Sequence, residues 1–194
     1  MFKAEVETLT GSGAALAEVL NLGCGWRRVE GALNVDLSPR VAADLVHDLN
    51  RRPWPLPDGH FREVLAYDVL EHLEDVVAAL EEIHRVCRDG AVVRITLPHF
   101  SCANAFTDPT HRHQFGRFSF GCFTDGDDHA FYTGARFRER SLRIFFYPSA
   151  VNRVVARLAN RYPAGYERRW AWVFPAWFMS VELEVVKGGA EGAA

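Results

Sequence analysis

Short apolar runs follow one another along the first hundred residues, and most end near a glycine, an aspartate or an asparagine. Their lengths suit β-strands, which typically span about five or six residues. The runs predicted as strands are Glu18–Leu22, Leu33–Leu37, Asp44–His47, Glu63–Val69 and Ala91–Phe100. The last run is apolar almost throughout rather than at alternate positions, which indicates a strand buried on both faces of a parallel sheet.

A longer periodicity follows the fourth run. Apolar residues recur there at about 3.6-residue spacing and fall on one face of a helix. These residues are Val76, Val77, Leu80, Ile83, Val86 and Cys87. The pattern predicts a helix over Leu73–Arg88, and Asp89-Gly90 supplies its stop signal.

The pattern changes after Phe100. Residues 101–135 are rich in Phe, His, Gly, Asp and Thr without a sustained period, which predicts a loop-rich cap. Beyond it, Ser141–Phe146 and Val181–Lys187 are predicted as strands and Ser149–Arg161 as a helix. Strands alternating with connections indicate an open, mostly parallel α/β sheet, and the late pair predicts an antiparallel edge strand near the C-terminus.

The connections between the first three runs are brief. Parallel neighbours normally need about a dozen residues to cross over. Trp26–Ala32 and Ser38–Ala43 are long enough for only a turn or two of helix each. Shortened early crossovers are therefore expected, with Ser38-Pro39 suited to the cap and first position of one such turn.

Length and composition limit the class of protein. The 194 residues suffice for one well-packed domain and are too few for two of typical size. No run approaches the roughly 20 apolar residues of a membrane span, and the N-terminus lacks the apolar core of a signal peptide, so a cytoplasmic location is expected. The four cysteines form no C-x-x-C pair and are expected to be reduced thiols.

Charge is unevenly distributed. The net charge of −3 argues against a dedicated nucleic-acid binder. The segment Arg136–Arg169 nevertheless holds nine arginines against only Glu139 and Glu167. Two interpretations stay open: a preference for arginine on solvated faces, or a basic surface over the substrate entrance that suits an anionic substrate or partner.

An aromatic stretch, RRWAWVFPAWFMSV, occupies Arg168–Val181. Its apolar side chains can line a hydrophobic substrate pocket or lie shallowly on a membrane beside the arginines. Packing under the edge of the sheet is the favoured interpretation, with Pro175 breaking any long helix.

Candidate ligand-binding residues stand at the ends of the first four runs. Gly23 and Gly25 let the backbone turn sharply and approach a ligand without a Cβ in the way. Asp36, Asp48 and Asp68 stand at the ends of the next three runs. Asp36 can accept hydrogen bonds from both hydroxyls of a ribose, and Asp48 can reach an adenine amino group. Because the carboxyl ends of parallel strands share one edge, these carboxylates predict a single crevice for a nucleoside-containing ligand.

A dinucleotide is the competing ligand. Its fingerprint needs G-x-G-x-x-G opening a full helix, with an acidic residue about 20 residues further on. Here Arg28 stands at the position of the third glycine, and Asp36 arrives too soon for a full helix. A pyrophosphate would have no helix N-terminus to bind, so the pattern favours a cofactor without phosphates.

The sequence resembles the class I S-adenosylmethionine-dependent methyltransferases, and more narrowly the bacterial type 11 methyltransferase domains. The motifs that carry the resemblance stand in the family's order over about residues 18–100: LNLGCG, ALNVDLSP, ADLVHDLN, PWPLPDGHF, VLAYDVLEHLEDV and ALEEIHRVCRDGAVVRITLP. The resemblance implies a Rossmann-like fold and S-adenosylmethionine as the cofactor. The sequence departs from the family at Asn21, where an acidic residue is common, and at Arg62.

The resemblance also implies which residues bind the cofactor. The Gly23–Gly25 turn would face the methionine part, Asp36 would hold the ribose, Asp48 and Leu49 would flank the adenine, and Asp68 and Val69 would lie under the sulfonium side. The full set of implied cofactor-binding residues is Asn21, Gly23, Cys24, Gly25, Asp36, Leu37, Asp48, Leu49, Asp68, Val69 and Leu70.

The chain is accordingly predicted as a single methyltransferase domain over residues 1–194. Residues 18–100 form its cofactor-binding half. Residues 101–187 supply substrate recognition and the last strands, and residues 188–194 form a flexible tail.

Methyl transfer requires a nucleophile held in line with the methyl group, and a hydroxyl or ammonium nucleophile must also lose its proton. Histidine is well suited to take that proton near neutral pH. His99 follows the fifth run, and His111 and His113 lie in DPTHRHQF. These three are the predicted catalytic residues, with His99 or His111 as the base. Glu71 and His72 are interpreted as structural.

A metal site is an alternative use of the same residues. His111 and His113, together with His99, Asp108 or the group at residues 127–129, can furnish three ligands. An H-x-H pattern in an irregular loop is common by chance, so no metal is assigned.

The sequence therefore predicts a methyltransferase that acts on an oxygen or nitrogen of a small-molecule or sugar-containing metabolite. RNA methylation is an alternative suggested by the arginine-rich stretch, although no N-P-P-Y-type base-stacking motif is present. A non-catalytic, S-adenosylmethionine-binding regulatory or partner protein is another. A small molecule is the expected partner, nucleic acid is not, and a homodimer is left open.

Overall fold

The computed structural model describes residues 16–124 and 130–188. Its strands are β1 (Val19–Leu22), β2 (Ala32–Asp36), β3 (Leu45–Val46), β4 (Phe61–Tyr67), β5 (Cys87–Pro98), β6 (Arg136–Ile144) and β7 (Phe178–Val186). Its α-helices are α1 (Val76–Val86), α2 (Asn104–Thr107), α3 (Ala150–Arg161) and α4 (Pro163–Arg169). Short 3₁₀ helices occur at Leu70–His72, Gly121–Phe123 and Ala130–Tyr132.

The strands form one sheet in the order β3-β2-β1-β4-β5-β7-β6. Strands β1 to β5 run parallel, as the apolar runs predicted. The chain moves outward from β1 through β2 to β3 and then returns to place β4 on the other side of β1. This change of direction makes the carboxyl ends of β1 and β4 the switch point at which open α/β sheets bind ligands.

The C-terminal edge of the sheet is antiparallel, as expected from the late pair of strands. β7 pairs antiparallel with both β5 and β6, so β6 is the outermost strand. β6 begins at Arg136, five residues before the predicted start, and includes an irregularity between Glu139 and Ser141. Helix α4 was not predicted, and Pro163 occupies its first turn.

Helix α1 is shorter than the predicted Leu73–Arg88. A 3₁₀ helix precedes it at Leu70–His72, and Cys87 and Arg88 belong to strand β5. The side chain of Asp75 caps α1 by accepting a hydrogen bond from the Ala78 N–H at 3.0 Å. At its C-terminus the chain passes directly into β5, where Cys87 pairs with Phe61. The buried face of the helix holds Ala79, Leu80, Ile83 and Val86, which confirms the predicted periodicity.

The early crossovers are short, as predicted, but residues 23–31 and 37–44 contain no helix, so Ser38-Pro39 does not begin the helical turn expected there. The fully buried Asn34 joins these two connections. Its Oδ1 accepts a hydrogen bond from the Val29 N–H at 2.8 Å, and its Nδ2 donates to the Asp44 carboxylate at 2.8 Å. This buried side-chain network therefore fixes the two short connections in place of a crossover helix.

Replacing Asn34 by Ala is expected to lower the free energy of unfolding by about 3 kcal/mol, because several buried polar groups lose their partners at once. Urea unfolding measures the change. Asn104→Ala, which truncates an exposed asparagine, is the matched control and is expected to stay within about 0.5 kcal/mol of the parent. Equal stability of the two variants would contradict the role given to Asn34.

No helix within the described ranges is both long and apolar enough to cross a bilayer. The predicted tail lies outside the described residues except for Gly188, as does the candidate group at residues 127–129.

Candidate active site

A cavity of about 770 Å³ opens at the carboxyl ends of the first four strands, and we call it the strand-end cavity. Asp36, Asp48 and Asp68 all line it, together with Gly23. The structure thus brings the three strand-end carboxylates into one crevice. Parallel pairing is the physical reason, because it places every strand's carboxyl end at the same edge.

The glycine turn after β1 is docked onto Asp36. The Gly25 N–H donates to Asp36 Oδ2 at 2.8 Å, and the Ser38 N–H donates to Oδ1 at 2.8 Å. A carboxylate offers about four acceptor positions, so each oxygen keeps a lone pair for a ligand hydroxyl. The short gap between the turn and Asp36 is therefore closed by direct hydrogen bonding rather than by a helix.

Gly23 marks a close approach between the ends of β1 and β4. Its φ is +60°, and a Cβ added there would lie 2.5 Å from Cγ2 of Val69. Any other residue would clash with Val69 and strain the backbone. Glycine at this position keeps the floor of the strand-end cavity open.

The far end of the strand-end cavity combines apolar and polar groups. Leu37 and Leu49 line it beside Asp48, and Asn50 completes this end. The Asn50 N–H donates to Asp48 Oδ1 at 3.0 Å, which fixes the carboxylate. Apolar walls beside a fixed carboxylate suit a flat heteroaromatic ring that carries an amino group.

Asp68 has an unusual backbone. Its φ is +53°, the only positive φ among the described residues other than glycine. Such conformations are sparsely populated and are concentrated at functional sites. The Asp68 N–H donates to the Thr96 carbonyl at 2.8 Å, and its carboxylate lies 3.4 Å from Arg27. These contacts hold Asp68 over the gap between β4 and β5.

Four of the eleven implied cofactor-binding residues do not line the strand-end cavity: Asn21, Cys24, Gly25 and Leu70. Asn21 is buried, and its Nδ2 donates to Asn34 Oδ1 at 2.9 Å and to the Arg27 carbonyl at 3.0 Å. Its side-chain amide therefore fixes the backbone that follows the glycine turn, through the Arg27 carbonyl. Burial raises the pKa of the Cys24 thiol, with the Asp36 charge adding to the effect.

A second cavity of about 740 Å³ lies beside the first, and we call it the cap cavity. The two share Asp68 and His72, so they meet at those residues. The other residues that line the cap cavity are Arg27, Glu71, Thr96, Pro98, Asn104, Thr107, Asp108, His111, Trp177 and Phe178. A ligand in one cavity can therefore meet a ligand in the other at the end of β4.

The structure places His99 outside both cavities. Its side chain is fully buried, with Nδ1 at 2.8 Å from Ser101 Oγ and Nε2 at 3.2 Å from Glu167. A ring held on both nitrogens in the interior cannot reach a ligand in the cap cavity. This position favours a structural role for His99 over the predicted role as base, because the chain turns His99 inward after β5.

His111 and His113 are separated by the loop that carries them. The backbone N–H groups of Arg112 and His113 donate to the Glu71 carbonyl at 2.7 and 3.4 Å, which folds this loop onto the 3₁₀ helix. His111 then lines the cap cavity, whereas His113 does not. The predicted H-x-H pair consequently does not form one site.

Two residues interpreted as structural from the sequence, Glu71 and His72, line the cap cavity. Glu71 is 1% exposed, and neither carboxylate oxygen has a hydrogen-bond partner among the described residues. Burial raises the pKa of Glu71 to about 7, and the charges of Asp68 and Asp108 add to the shift. The sequence signal that could have identified Glu71 and His72 was their position directly after Asp68, at the end of β4.

The ring of His72 packs against that of His111 with centroids 4.7 Å apart. Burial lowers the pKa of His72, and the neighbouring His111 adds to the effect. A lowered pKa keeps the imidazole neutral near neutral pH, so that one ring nitrogen has a lone pair.

The aromatic stretch is divided between the site and the surface. Trp177 and Phe178 line the cap cavity. Trp172 and Trp170 are exposed, whereas Ala171 is buried in the core. None of the nine arginines between residues 136 and 169 lines either cavity, so the lining of the site gives no support to a basic substrate entrance.

An open, mostly parallel sheet with strand-end carboxylates gathered at its switch point is the arrangement typical of Rossmann-like proteins that bind nucleoside-containing ligands. Residues 10–95 match the family described as a methyltransferase domain. Over these residues the chain is similar to a methyltransferase domain, which agrees with the resemblance to class I S-adenosylmethionine-dependent methyltransferases and with S-adenosylmethionine as the cofactor. The strand-end cavity fits that cofactor, because Asp36 keeps acceptor positions that suit ribose hydroxyls and none of the described α-helices begins at this cavity.

Solved structures share the fold. An S-adenosylmethionine-dependent methyltransferase from Archaeoglobus fulgidus is 16% identical with a TM-score of 0.58, over 94% of this chain and 92% of that one. One from Mesorhizobium loti is 13% identical with a TM-score of 0.55, over 95% and 98%. These likenesses concern the fold alone.

A third similar structure contains ligands. It is phosphoethanolamine N-methyltransferase 2 of Haemonchus contortus, in complex with phosphomonomethylethanolamine and S-adenosylhomocysteine. It is 13% identical with a TM-score of 0.55, over 95% of this chain and 52% of the other. No curated protein matches the sequence.

Proposed function

We propose that this enzyme methylates an oxygen or nitrogen of a small, hydroxyl-rich acceptor, such as a sugar-containing metabolite, held in the cap cavity. The observation that carries the proposal is the junction of the two cavities at Asp68 and His72. S-adenosylmethionine supplies a methyl group that is already activated on a sulfonium. The remaining task of the protein is to hold the acceptor in line and exclude water.

The lining of the cap cavity supports a neutral or cationic acceptor. Among the described residues its carboxylates are Asp68, Glu71 and Asp108, and Arg27 is its only lysine or arginine. An acceptor that carries a phosphate would meet more negative than positive side chains in this lining. This balance also disfavours RNA as the acceptor, because nucleic-acid binding relies on positive side chains at the phosphates.

The shape and polarity of the cap cavity favour hydroxyl groups on the acceptor. Asn104 and Thr107 offer both donors and acceptors, and the carboxylates accept hydrogen bonds from hydroxyls. Trp177 provides a flat apolar wall on which a ring can pack. Of the three histidines predicted as catalytic, only His111 lines this cavity, beside Glu71 and His72.

Calorimetry and methyl transfer test this proposal. We expect S-adenosylmethionine to bind and NAD not to bind. Tritium from the labelled methyl group should appear on neutral glycosides or amino sugars rather than on phosphorylated compounds or RNA. Transfer only to RNA or to phosphorylated acceptors would overturn the assigned substrate class. Cofactor binding without transfer to any acceptor would favour the non-catalytic alternative.

Trp177→Ala should raise the KM for the acceptor about 10-fold, because it removes the apolar wall of the cap cavity. The dissociation constant of S-adenosylmethionine should stay unchanged, since Trp177 does not line the strand-end cavity. Trp172→Ala is the matched control, because Trp172 is exposed and lines neither cavity. If Trp177→Ala changed only the affinity for S-adenosylmethionine, the assignment of Trp177 to the acceptor site would be wrong.

A further inference from the structure

We propose that Glu71, His72 and His111 form a binding site for one divalent transition-metal ion at the junction of the two cavities. One ligand atom from each of the three lies within 4.8 Å of those from the others. All three side chains line the cap cavity. Two histidines and one carboxylate are a ligand set that Zn²⁺ and related ions adopt when one coordination position stays open to a substrate.

The unpartnered polar atoms at this place are independent support. Both carboxylate oxygens of Glu71 and the Nδ1 of His111 are buried without a hydrogen-bond partner among the described residues. Buried polar groups are otherwise paired in folded proteins, because leaving one unpaired costs about 1–3 kcal/mol. A buried carboxylate beside an unpaired imidazole nitrogen is the arrangement that a cation would satisfy.

The tautomer of His72 can be worked out from its neighbours. The Thr110 hydroxyl lies 2.6 Å from Asp108 Oδ1 and has a single proton, which it donates to that carboxylate. Toward His72 Nδ1, at 2.9 Å, the hydroxyl can therefore only accept. Nδ1 must carry the proton, and the Nε2 of neutral His72 has the lone pair.

This chain of hydrogen bonds resembles the outer contacts of known metal sites. A histidine ligand almost always donates its other ring N–H to a hydroxyl, carbonyl or carboxylate group, which orients the ring and raises its basicity. Here Thr110 and Asp108 provide that contact for His72. Asp108 also lies 4.0 Å from His111 Nε2, so one carboxylate stands behind both rings.

The three residues come from two segments that the fold joins. Glu71 and His72 lie on the 3₁₀ helix after β4, and His111 lies on the loop whose backbone binds the Glu71 carbonyl. His113 is not part of this group. An open coordination position would face the cap cavity, where it can bind a hydroxyl oxygen of the acceptor. That last step rests on the proposed function, whereas cation binding does not.

Titration of the chelator-treated, cofactor-free protein with Zn²⁺ tests the inference by calorimetry. We expect one equivalent to bind per chain. Glu71→Gln and His111→Ala should each weaken binding at least about 10-fold. The matched control is His113→Ala, which removes an imidazole from the same loop and should bind Zn²⁺ like the parent. Absence of a one-equivalent site, or equal loss in His113→Ala, would overturn the assignment.

Urea unfolding gives a second measurement that does not depend on activity. A ligand that binds only the folded state raises its stability, so Zn²⁺ should raise the unfolding midpoint of the parent and of His113→Ala. At the same Zn²⁺ concentration it should raise the midpoint of Glu71→Gln by less, because the weakened site is less occupied. A Zn²⁺-induced shift of equal size in Glu71→Gln would contradict the site. Because cofactor binding is measured separately with S-adenosylmethionine, failure here is distinguishable from failure of the proposed function.

Discussion

Replacing Asp36 by Ala is expected to weaken the binding of S-adenosylmethionine at least about 100-fold. A hydrogen bond to a charged group contributes about 1.5–3 kcal/mol, and Asp36 has acceptor positions for two ribose hydroxyls. The variant also loses the contacts to the Gly25 and Ser38 N–H groups, so the glycine turn is no longer fixed. Calorimetry with S-adenosylmethionine and with S-adenosylhomocysteine measures the effect.

The matched control for this experiment is Asp89→Ala. Asp89 is an exposed carboxylate at the opposite edge of the sheet, where it accepts a hydrogen bond from the Lys187 N–H at 2.9 Å. Cofactor affinity should not change in this variant. Circular dichroism of both proteins verifies that they are folded. If Asp36→Ala binds the cofactor as tightly as Asp89→Ala does, the ribose does not lie at Asp36.

Glu71→Gln is expected to change how the stability of the metal-free protein depends on pH. The pKa of Glu71 is raised from 4.5 in an exposed chain to about 7 in the folded protein, chiefly by burial. The charges of Asp68 and Asp108 act in the same direction, and His72 and His111 also face this carboxylate. Folding therefore favours the protonated form of Glu71.

The sign of the effect follows from linkage. Below pH 4.5 the carboxyl group is protonated in both states and the shift has no effect. As the pH rises to 7 the unfolded chain loses this proton first, so the parent loses about 3 kcal/mol of stability. Above pH 7 the full loss remains. Glu71→Gln has no ionisable group there and should not show this loss.

Urea unfolding at pH 4.5 and pH 8 with a chelator measures this difference. The advantage of Glu71→Gln over the parent should grow by about 3 kcal/mol between the two conditions. Glu74→Gln is the control, because Glu74 is exposed on the same segment. Parallel pH profiles for the parent and Glu71→Gln would show that Glu71 titrates normally in the folded protein.

A buried carboxylate that destabilises the folded enzyme at neutral pH is typical of a functional site. Proteins retain such groups where a ligand compensates for the missing contacts. Glu71 lines the cap cavity next to His72, and its carboxylate has no hydrogen-bond partner among the described residues. A cation bound at the proposed site would therefore compensate the destabilising charge of the Glu71 carboxylate.

Much of the cofactor half could be predicted from the sequence. Periodicity identified β1 to β5 and α1, because buried strands and amphipathic helices impose different spacings on apolar residues. The gathering of Asp36, Asp48 and Asp68 was predictable because parallel strands end at one edge. The short crossovers were predictable from the small number of residues between the first three apolar runs.

The cap could not be predicted in the same way. His72 and Thr110 stand 38 positions apart in the sequence and meet only because an irregular loop folds back onto the 3₁₀ helix. No periodicity records such a contact. The direction of a single side chain at a strand end is equally local, so His99 and Asn21 turned inward although their positions in the sequence suggested ligand contacts.

The sequence by itself determined the sheet, its strand-end carboxylates and the resemblance to a methyltransferase domain, since these depend on spacing along the chain. Only the tertiary structure decided which side chains surround the acceptor. It buried His99, separated His113 from His111, and placed Glu71 and His72 in the lining of the cap cavity. The physical reason is that non-local packing of an aperiodic loop decides which polar groups stay unpaired, and those groups are the ones available to a ligand.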